Sequence, residues 1–224
     1  MRSFWQFTTL MSGAIFLTTM IPMRNGGFFS DGARMLNLIK GGKKAEVDLA
    51  VLTSTAASTA GIRPRELNVA PLQKILESDY EHPFIPYLHL YIYAYLMDWG
   101  KTEEAFEHLT QAMEHIENIP AGYQATLWLE LAFYQAYYQQ NLAEAEAAFQ
   151  QAKISAVIPK HLIYKAEAVI AWGKKDLELA LIKAQNALTV LPQAMDAGGA
   201  IAEKEWLEEF LNQLEVANYN NSIT

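Results

Sequence analysis

The sequence contains no cysteine among its 224 residues. Disulfide bridges and thiolate zinc sites are therefore excluded, since both need the cysteine sulfur. Also absent are the helical HExxH zinc motif, the G-x-S-x-G nucleophile elbow and the glycine-rich loops that bind nucleotide phosphates. The sequence thus carries no complete motif for these three kinds of chemistry.

Basic residues are also few, with 17 basic against 25 acidic side chains and a formal net charge of -8. This balance argues against a nucleic-acid partner. The basic residues are concentrated near the start, because residues 1–65 hold eight Lys or Arg and only three Asp or Glu. A basic start followed by an acidic remainder indicates two different environments.

An uncharged apolar segment, FWQFTTLMSGAIFLTTMIPM, covers residues 4–23. As a helix rising about 1.5 Å per residue, it would cross a hydrocarbon core of roughly 30 Å, which predicts a transmembrane helix. A buried soluble helix and a signal peptide are the alternatives, and the second lacks a small-residue cleavage site. Arg24, Arg34 and three lysines follow the segment. The positive-inside rule therefore predicts a cell-membrane protein whose later residues are cytoplasmic.

The rest of the chain reads as helices with short breaks, and it contains an internal repeat. Three segments superimpose, at 100–115, 140–153 and 175–188. Each has two small residues seven positions apart: Ala105 and Ala112, Ala145 and Ala152, Ala180 and Ala187. This spacing resembles the second helix of tetratricopeptide repeats, and aromatic-rich helices precede the three segments at 84–98, 121–138 and 160–172. We predict an all-α fold, with the transmembrane helix followed by an α-solenoid of stacked helical pairs and a closing helix near 200–217.

Two residue types are candidates for binding within the repeats. Tyrosine suits surfaces that are partly apolar and partly hydrated. One interpretation of these tyrosines is therefore a groove for a basic or neutral peptide, and the other is packing between helices. The groove candidates are Tyr91, Tyr95, Tyr134 and Tyr138. The five histidines lack the i, i+4 spacing of a helical zinc motif, which favours ordinary core or surface roles.

The segment from Ile21 to Gly42, IPMRNGGFFSDGARMLNLIKGG, has a glycine pair and then an Asp-Gly pair at a predicted helix start. Together with the preceding apolar segment, it resembles one motif of the site-2 protease family of intramembrane zinc metalloproteases. The resemblance covers about residues 10–45. It implies that Asp31 is the third zinc ligand, with motif support from Pro22, Gly26, Gly27 and Gly32.

The sequence departs from the family pattern in two respects. Thr19 stands where the family has an asparagine, and the HExxH helix that supplies the other zinc ligands is missing. The resemblance therefore implies the C-terminal part of such an enzyme, inactive by itself, with zinc bound only when an upstream protease segment supplies HExxH. Residues 1–43 would belong to the protease-like region and residues 44–224 to a cytosolic helical-repeat domain that binds a protein or peptide. The alternative is a non-enzymatic, membrane-anchored scaffold resembling tetratricopeptide-repeat adaptors.

Overall fold

A computed structural model describes residues 2–25, 28–78 and 80–223 of the chain. Within these ranges the protein has eleven α-helices and a single two-residue antiparallel β-ladder. The all-α prediction is confirmed. Gly26 and Gly27, predicted to support the Asp-Gly motif, lie outside the described residues.

The N-terminal region begins with helix α1, Arg2–Met20, followed by the short strands β1, Arg24–Asn25, and β2, Phe28–Phe29. Arg24 pairs with Phe29 in this hairpin, which the sequence analysis did not predict. Helix α2, Asp31–Lys40, then starts at the capping residue Ser30 and ends at Gly41. Gly41 has φ of 70°, a left-handed conformation that suits glycine, and α3, Gly42–Thr59, follows directly.

The predicted membrane span over residues 4–23 is not supported. Among the helices of the described chain, none combines the length and the apolar character needed to cross a membrane. Helix α1 ends at Met20, and its apolar residues are diluted by polar ones, namely Gln6, Thr8, Thr9, Ser12, Thr18 and Thr19.

The body of the molecule is built from the predicted helical pairs. After a 3₁₀ turn at Pro64–Glu66 and helix α4, Ala70–Leu76, three antiparallel pairs follow. They are α5, Ile85–Asp98, with α6, Thr102–Glu114; α7, Gln124–Tyr137, with α8, Leu142–Gln151; and α9, Lys160–Gly173, with α10, Leu177–Val190. Two further 3₁₀ turns lie at Ile116–Asn118 and Leu191–Gln193.

The same turn joins the two helices of each pair. Gly100, Gln140 and Lys175 occupy equivalent positions, and all three have positive φ, at 72°, 53° and 66°. Left-handed backbone is unfavourable for residues other than glycine, so Gln140 and Lys175 are held there by the packing of the helices on either side. The sequence repeat is thus also a repeat of backbone geometry.

Small residues allow the paired helices to approach closely, as their spacing predicts. Ala105, Ala112, Ala145, Ala180 and Ala187 are all fully buried. Ala152, the sixth residue of the pattern, is half-buried because α8 ends one residue earlier, at Gln151.

The last helix, α11, Ala197–Ile223, crosses back over the body instead of extending the stack. It packs along α10 and reaches α3 and the 3₁₀ turn at Pro64–Glu66. Gly198 permits this return, because a Cβ there would overlap the carbonyl oxygen of Ile62. Leu207, Phe210 and Leu214 of α11 are fully buried, so the closing helix is part of the core.

Candidate functional site

Ser30 fixes the start of helix α2 against the chain that leaves α1. Its hydroxyl donates to the carbonyl of Ile21 at 2.6 Å and accepts from the backbone N–H of Met23 at 3.0 Å. It also accepts from the N–H of Ala33 at 3.2 Å, which is the N-cap bond of α2. One side chain therefore ties the exit from α1 to the first turn of α2.

Asp31 is the first residue of α2, and its side chain is exposed. In the described chain its carboxylate has no hydrogen-bond or ion-pair partner. The next residue, Gly32, is buried, and a Cβ there would overlap the carbonyl oxygen of Met20. The Asp-Gly pair thus combines a free carboxylate with a close approach of two helices that only glycine allows.

Helix α1 is exposed to solvent along most of its length. Residues 4–18 are all exposed, including large apolar side chains at Phe4, Trp5, Phe7, Leu10, Ile15, Phe16 and Leu17. Contact with the rest of the described molecule is mainly through α2, at the end where Thr19 and Met20 are half-buried. Pro22 follows, exposed, in the connection to the hairpin.

An aromatic cluster joins the Asp-Gly region to the body. Phe29 of β2 stacks on His82 at 6.3 Å and meets Phe84 edge-on at 5.2 Å, and the guanidinium of Arg34 lies 5.4 Å from the Phe84 ring centre. Burial lowers the pKa of His82 below its usual value. The position of α2 is therefore tied to the connection between α4 and α5.

A polar pair joins α2 to α3. Asn37 donates to Asp48 Oδ2 at 2.9 Å, and Asp48 is fully buried. Buried polar atoms without a hydrogen-bond partner in the described structure are Arg34 Nε, Asp48 Oδ1 and His82 Nε2.

The structure does not bring the four candidate tyrosines together as one exposed surface. Tyr134 is buried and stacks on Phe106 with ring centres 4.3 Å apart. Tyr138 is half-buried beside Tyr134, and burial raises its pKa to about 12. Tyr91 is half-buried and shares a 2.7 Å hydrogen bond with Thr55, while Tyr95 lies near Trp99. Peptide binding by these residues stays a prediction.

The first helices of the pairs, α5, α7 and α9, share a face that α11 covers. At its centre, Lys165 Nζ lies 3.0 Å from Glu130 and 2.7 Å from Glu203, and Tyr93 donates to Glu130 at 2.8 Å. Burial lowers the pKa of Lys165, but the charges and hydrogen bonds of the two glutamates outweigh it and raise that pKa overall. Sequence reasoning missed this network, because a lysine in KAEAVIAW gives no local sign of its partners.

A cleft of about 910 Å³ lies between the α4–α5 connection and α6. Its charged lining is Glu77, Glu81 and Glu114, and four of the five histidines also line it: His82, His89, His108 and His115. His89 Nδ1 and His108 Nδ1 are 2.9 Å apart, and burial together with His108 lowers the pKa of His89 to about 4. The pair is therefore a neutral hydrogen bond at physiological pH.

Asp31 does not belong to a metal centre formed by the described residues alone. No group of three or more His, Cys, Asp or Glu side chains suited to holding a metal occurs among them. Comparisons with known protein families, curated proteins and solved structures gave no match to this chain.

Proposed function

We propose that the chain is the C-terminal part of a membrane-embedded zinc metalloendopeptidase of the site-2 type, whose helical-repeat body binds protein partners. The observation that carries the proposal is Asp31, an exposed and unpartnered carboxylate on a backbone that Ser30 and Gly32 fix close to the end of the exposed apolar helix α1.

Asp31 suits a zinc site whose other protein ligands come from another segment. Zinc enzymes use three protein ligands and leave one position for water, and carboxylate oxygen is an accepted ligand. The described chain offers Asp31 no histidine, so the two histidine ligands would come from an HExxH segment outside it. Zinc bound by the full set supplies an activated water for peptide hydrolysis. The contribution of this chain would be the Asp31 carboxylate, carried on a backbone that Ser30 and Gly32 fix.

Helix α1 suits packing among other membrane helices. Small residues such as Gly13 and Ala14 allow close approach of a neighbouring helix, and a Cβ on Gly13 would meet nothing in the described chain. The threonine hydroxyls bond to backbone carbonyls of their own helix, as Thr8 does to Phe4 at 3.0 Å and Thr18 to Ile15 at 2.8 Å. Such bonds reduce the cost of placing a hydroxyl in apolar surroundings.

The body supports the second half of the proposal. Its stacked helical pairs resemble tetratricopeptide repeats in pairing and in their buried small residues, and such stacks offer extended surfaces to partner proteins. Helix α11 covers the face shared by the first helices, whereas the cleft lined by Glu77, Glu81 and Glu114 is open. Its carboxylates favour a basic peptide.

The test uses the chain as it occurs in the membrane fraction of the cells that produce it. A tagged chain is isolated in mild detergent together with its associated segments, and both bound zinc and peptide cleavage are measured. We expect Asp31→Asn to abolish both. Asp176→Asn is the matched control, because Asp176 is also an exposed aspartate at a helix start and its removal should change neither. Zinc and cleavage that survive Asp31→Asn would show that the proposal is wrong.

The second candidate function is a membrane-anchored scaffold without enzyme activity, and the acidic cleft of the body favours it. The same isolation separates the two functions. A scaffold would be recovered with partner proteins but without stoichiometric zinc, and Asp31→Asn would leave those partners bound. Under this alternative, replacing Glu77, Glu81 and Glu114 with glutamine would release a basic partner, and replacing the exposed Glu178, Glu208 and Glu215 would not.

A further inference from the structure

A second, smaller pocket lies where α1 meets the hairpin and α2. Its volume is about 300 Å³, close to the lower end of ligand-binding pockets. The charged residues that line it are Arg24, Lys40 and Lys44, and no acidic side chain of the described chain is among its lining residues. Its apolar lining residues are Pro22, Met23, Phe29, Ala33 and Leu36.

The cations of this pocket are held without counter-charge. Phe29 has the guanidinium of Arg24 at 5.4 Å and the ammonium of Lys44 at 5.6 Å from its ring centre. All eight ion pairs between described residues involve residue 63 or later positions, so neither cation has an acidic partner there. Cations without a counter-charge in one pocket give it a positive potential, which an anionic ligand would neutralise.

The exposed apolar helix α1 ends at Met20, two residues before Pro22 of the pocket lining. An occupant that matched both features would combine an anionic group with long apolar chains. A phospholipid has this combination, because its acyl chains can lie along α1 while its phosphate reaches the basic pocket. An acidic protein segment would match the pocket but would leave the apolar residues of α1 uncovered.

We propose that Arg24, Lys40 and Lys44 form a binding site for the headgroup of an anionic phospholipid whose acyl chains cover α1. This inference does not depend on the proposed peptidase activity, since its evidence is the pocket, its unpaired cations and the bare helix. The proposal predicts that the chain binds membranes containing anionic lipids more tightly than neutral membranes.

The test is flotation of the full chain with vesicles of phosphatidylcholine alone or mixed with phosphatidylglycerol. Each basic residue near an anionic surface contributes about a fivefold factor in binding. We therefore expect a strong preference for the anionic vesicles that weakens with added salt. The triple variant Arg24→Gln, Lys40→Gln, Lys44→Gln should lose about a hundredfold of that preference while its binding to phosphatidylcholine, through α1, is retained.

A control variant of equal charge is available in the body. Lys74, Lys153 and Lys160 are exposed and have no ion pair in the described chain, so Lys74→Gln, Lys153→Gln, Lys160→Gln should keep the wild-type preference. An equal loss in both triple variants would mean that only net charge matters, and the site assignment would be wrong. A wild-type chain indifferent to lipid charge would also overturn the proposal.

Two further measurements keep the result interpretable. Lys40→Gln alone, which removes no contact with the Phe29 ring, should weaken the preference about fivefold without changing the circular dichroism spectrum. Inorganic phosphate, added at concentrations too low to screen charge, should not compete with the vesicles. If it does compete, the pocket is a site for free phosphate and the lipid assignment fails.

Discussion

Lys165 and Lys44 both place an ammonium group over a phenylalanine ring, but their surroundings differ. Lys165 lies 4.3 Å from the centre of Phe133 and is paired with Glu130 and Glu203 inside the body. Lys44 lies 5.6 Å from the centre of Phe29, and the described chain gives it no carboxylate. The body therefore pairs this buried cation with carboxylates, whereas the N-terminal region has cations without carboxylates beside exposed apolar residues.

The same contrast holds for helix contacts. Helix α11 buries Leu207, Phe210 and Leu214 and bonds to the body through Arg63, which pairs with both Asp98 and Glu205. Helix α1 leaves its large apolar residues exposed. The body is therefore one packed unit, whereas α1 contributes little to it.

The largest expected effect is on the charge network of the body. Lys165→Met would leave Glu130, which is only 8 % exposed, without its cation, and such losses cost about 3–5 kcal/mol. The free energy of unfolding is measured by urea denaturation of the full chain. The double variant Lys165→Met, Glu130→Gln should recover about half of the loss, because the buried Glu130 is then neutral and only the more exposed Glu203 lacks its cation. A loss below about 1 kcal/mol in the single variant would contradict this account.

The second prediction concerns the pH dependence of the body. Burial, with Lys165, lowers the pKa of His161 from 6.5 to about 4. The unfolded chain then binds more protons than the folded one between these values, so stability is complete above about pH 6.5 and falls as the pH drops toward 4. His161→Gln should reduce the loss between neutral pH and about pH 4.5 by about 2–3 kcal/mol. Parallel stability curves for the two proteins would contradict it.

The sequence allowed the helical pairs to be placed within a few residues, because alanine spacing and breaks in the helical pattern are local signals. It also located the start of α2, since Ser30 is a strong N-cap residue. It did not reveal the network around Lys165 or the pairing of His89 with His108, which depend on helices distant in sequence. The packing of α11 across the body could not be predicted from the sequence either. The pattern of an amphipathic helix shows which face is apolar but not which elements cover that face.

The third prediction compares glycines at the two ends of the chain. Gly198→Ala should lower the free energy of global unfolding by about 1–3 kcal/mol, because its Cβ would push α11 away from Ile62. Gly32→Ala creates a similar overlap with Met20, but α1 contributes little to the core. Its effect should therefore appear as faster amide hydrogen exchange at the α1–α2 contact, with global stability nearly unchanged.

Gly13→Ala is the control for this comparison, because a Cβ there would contact nothing in the described chain. It should stabilise α1 slightly, by about 0.5–1 kcal/mol, through lower backbone entropy in the unfolded chain. If Gly32→Ala lowered global stability as much as Gly198→Ala, the N-terminal region would be part of the cooperative body and the contrast between the regions would fail.

The smallest expected effect on stability is at Asp31 itself. As an exposed first-turn carboxylate it interacts with the helix dipole, so Asp31→Asn should cost less than about 1 kcal/mol in the free energy of unfolding. Ser30→Ala, which removes three hydrogen bonds at the same turn, should cost more, about 1–2 kcal/mol, seen as faster exchange of the α2 amides. If Asp31→Asn proved the more damaging change, the carboxylate would be structural. If its effect is small, as we expect, the position carries a carboxylate that the fold does not need, and any loss of zinc or cleavage in the isolated complex can then be assigned to chemistry.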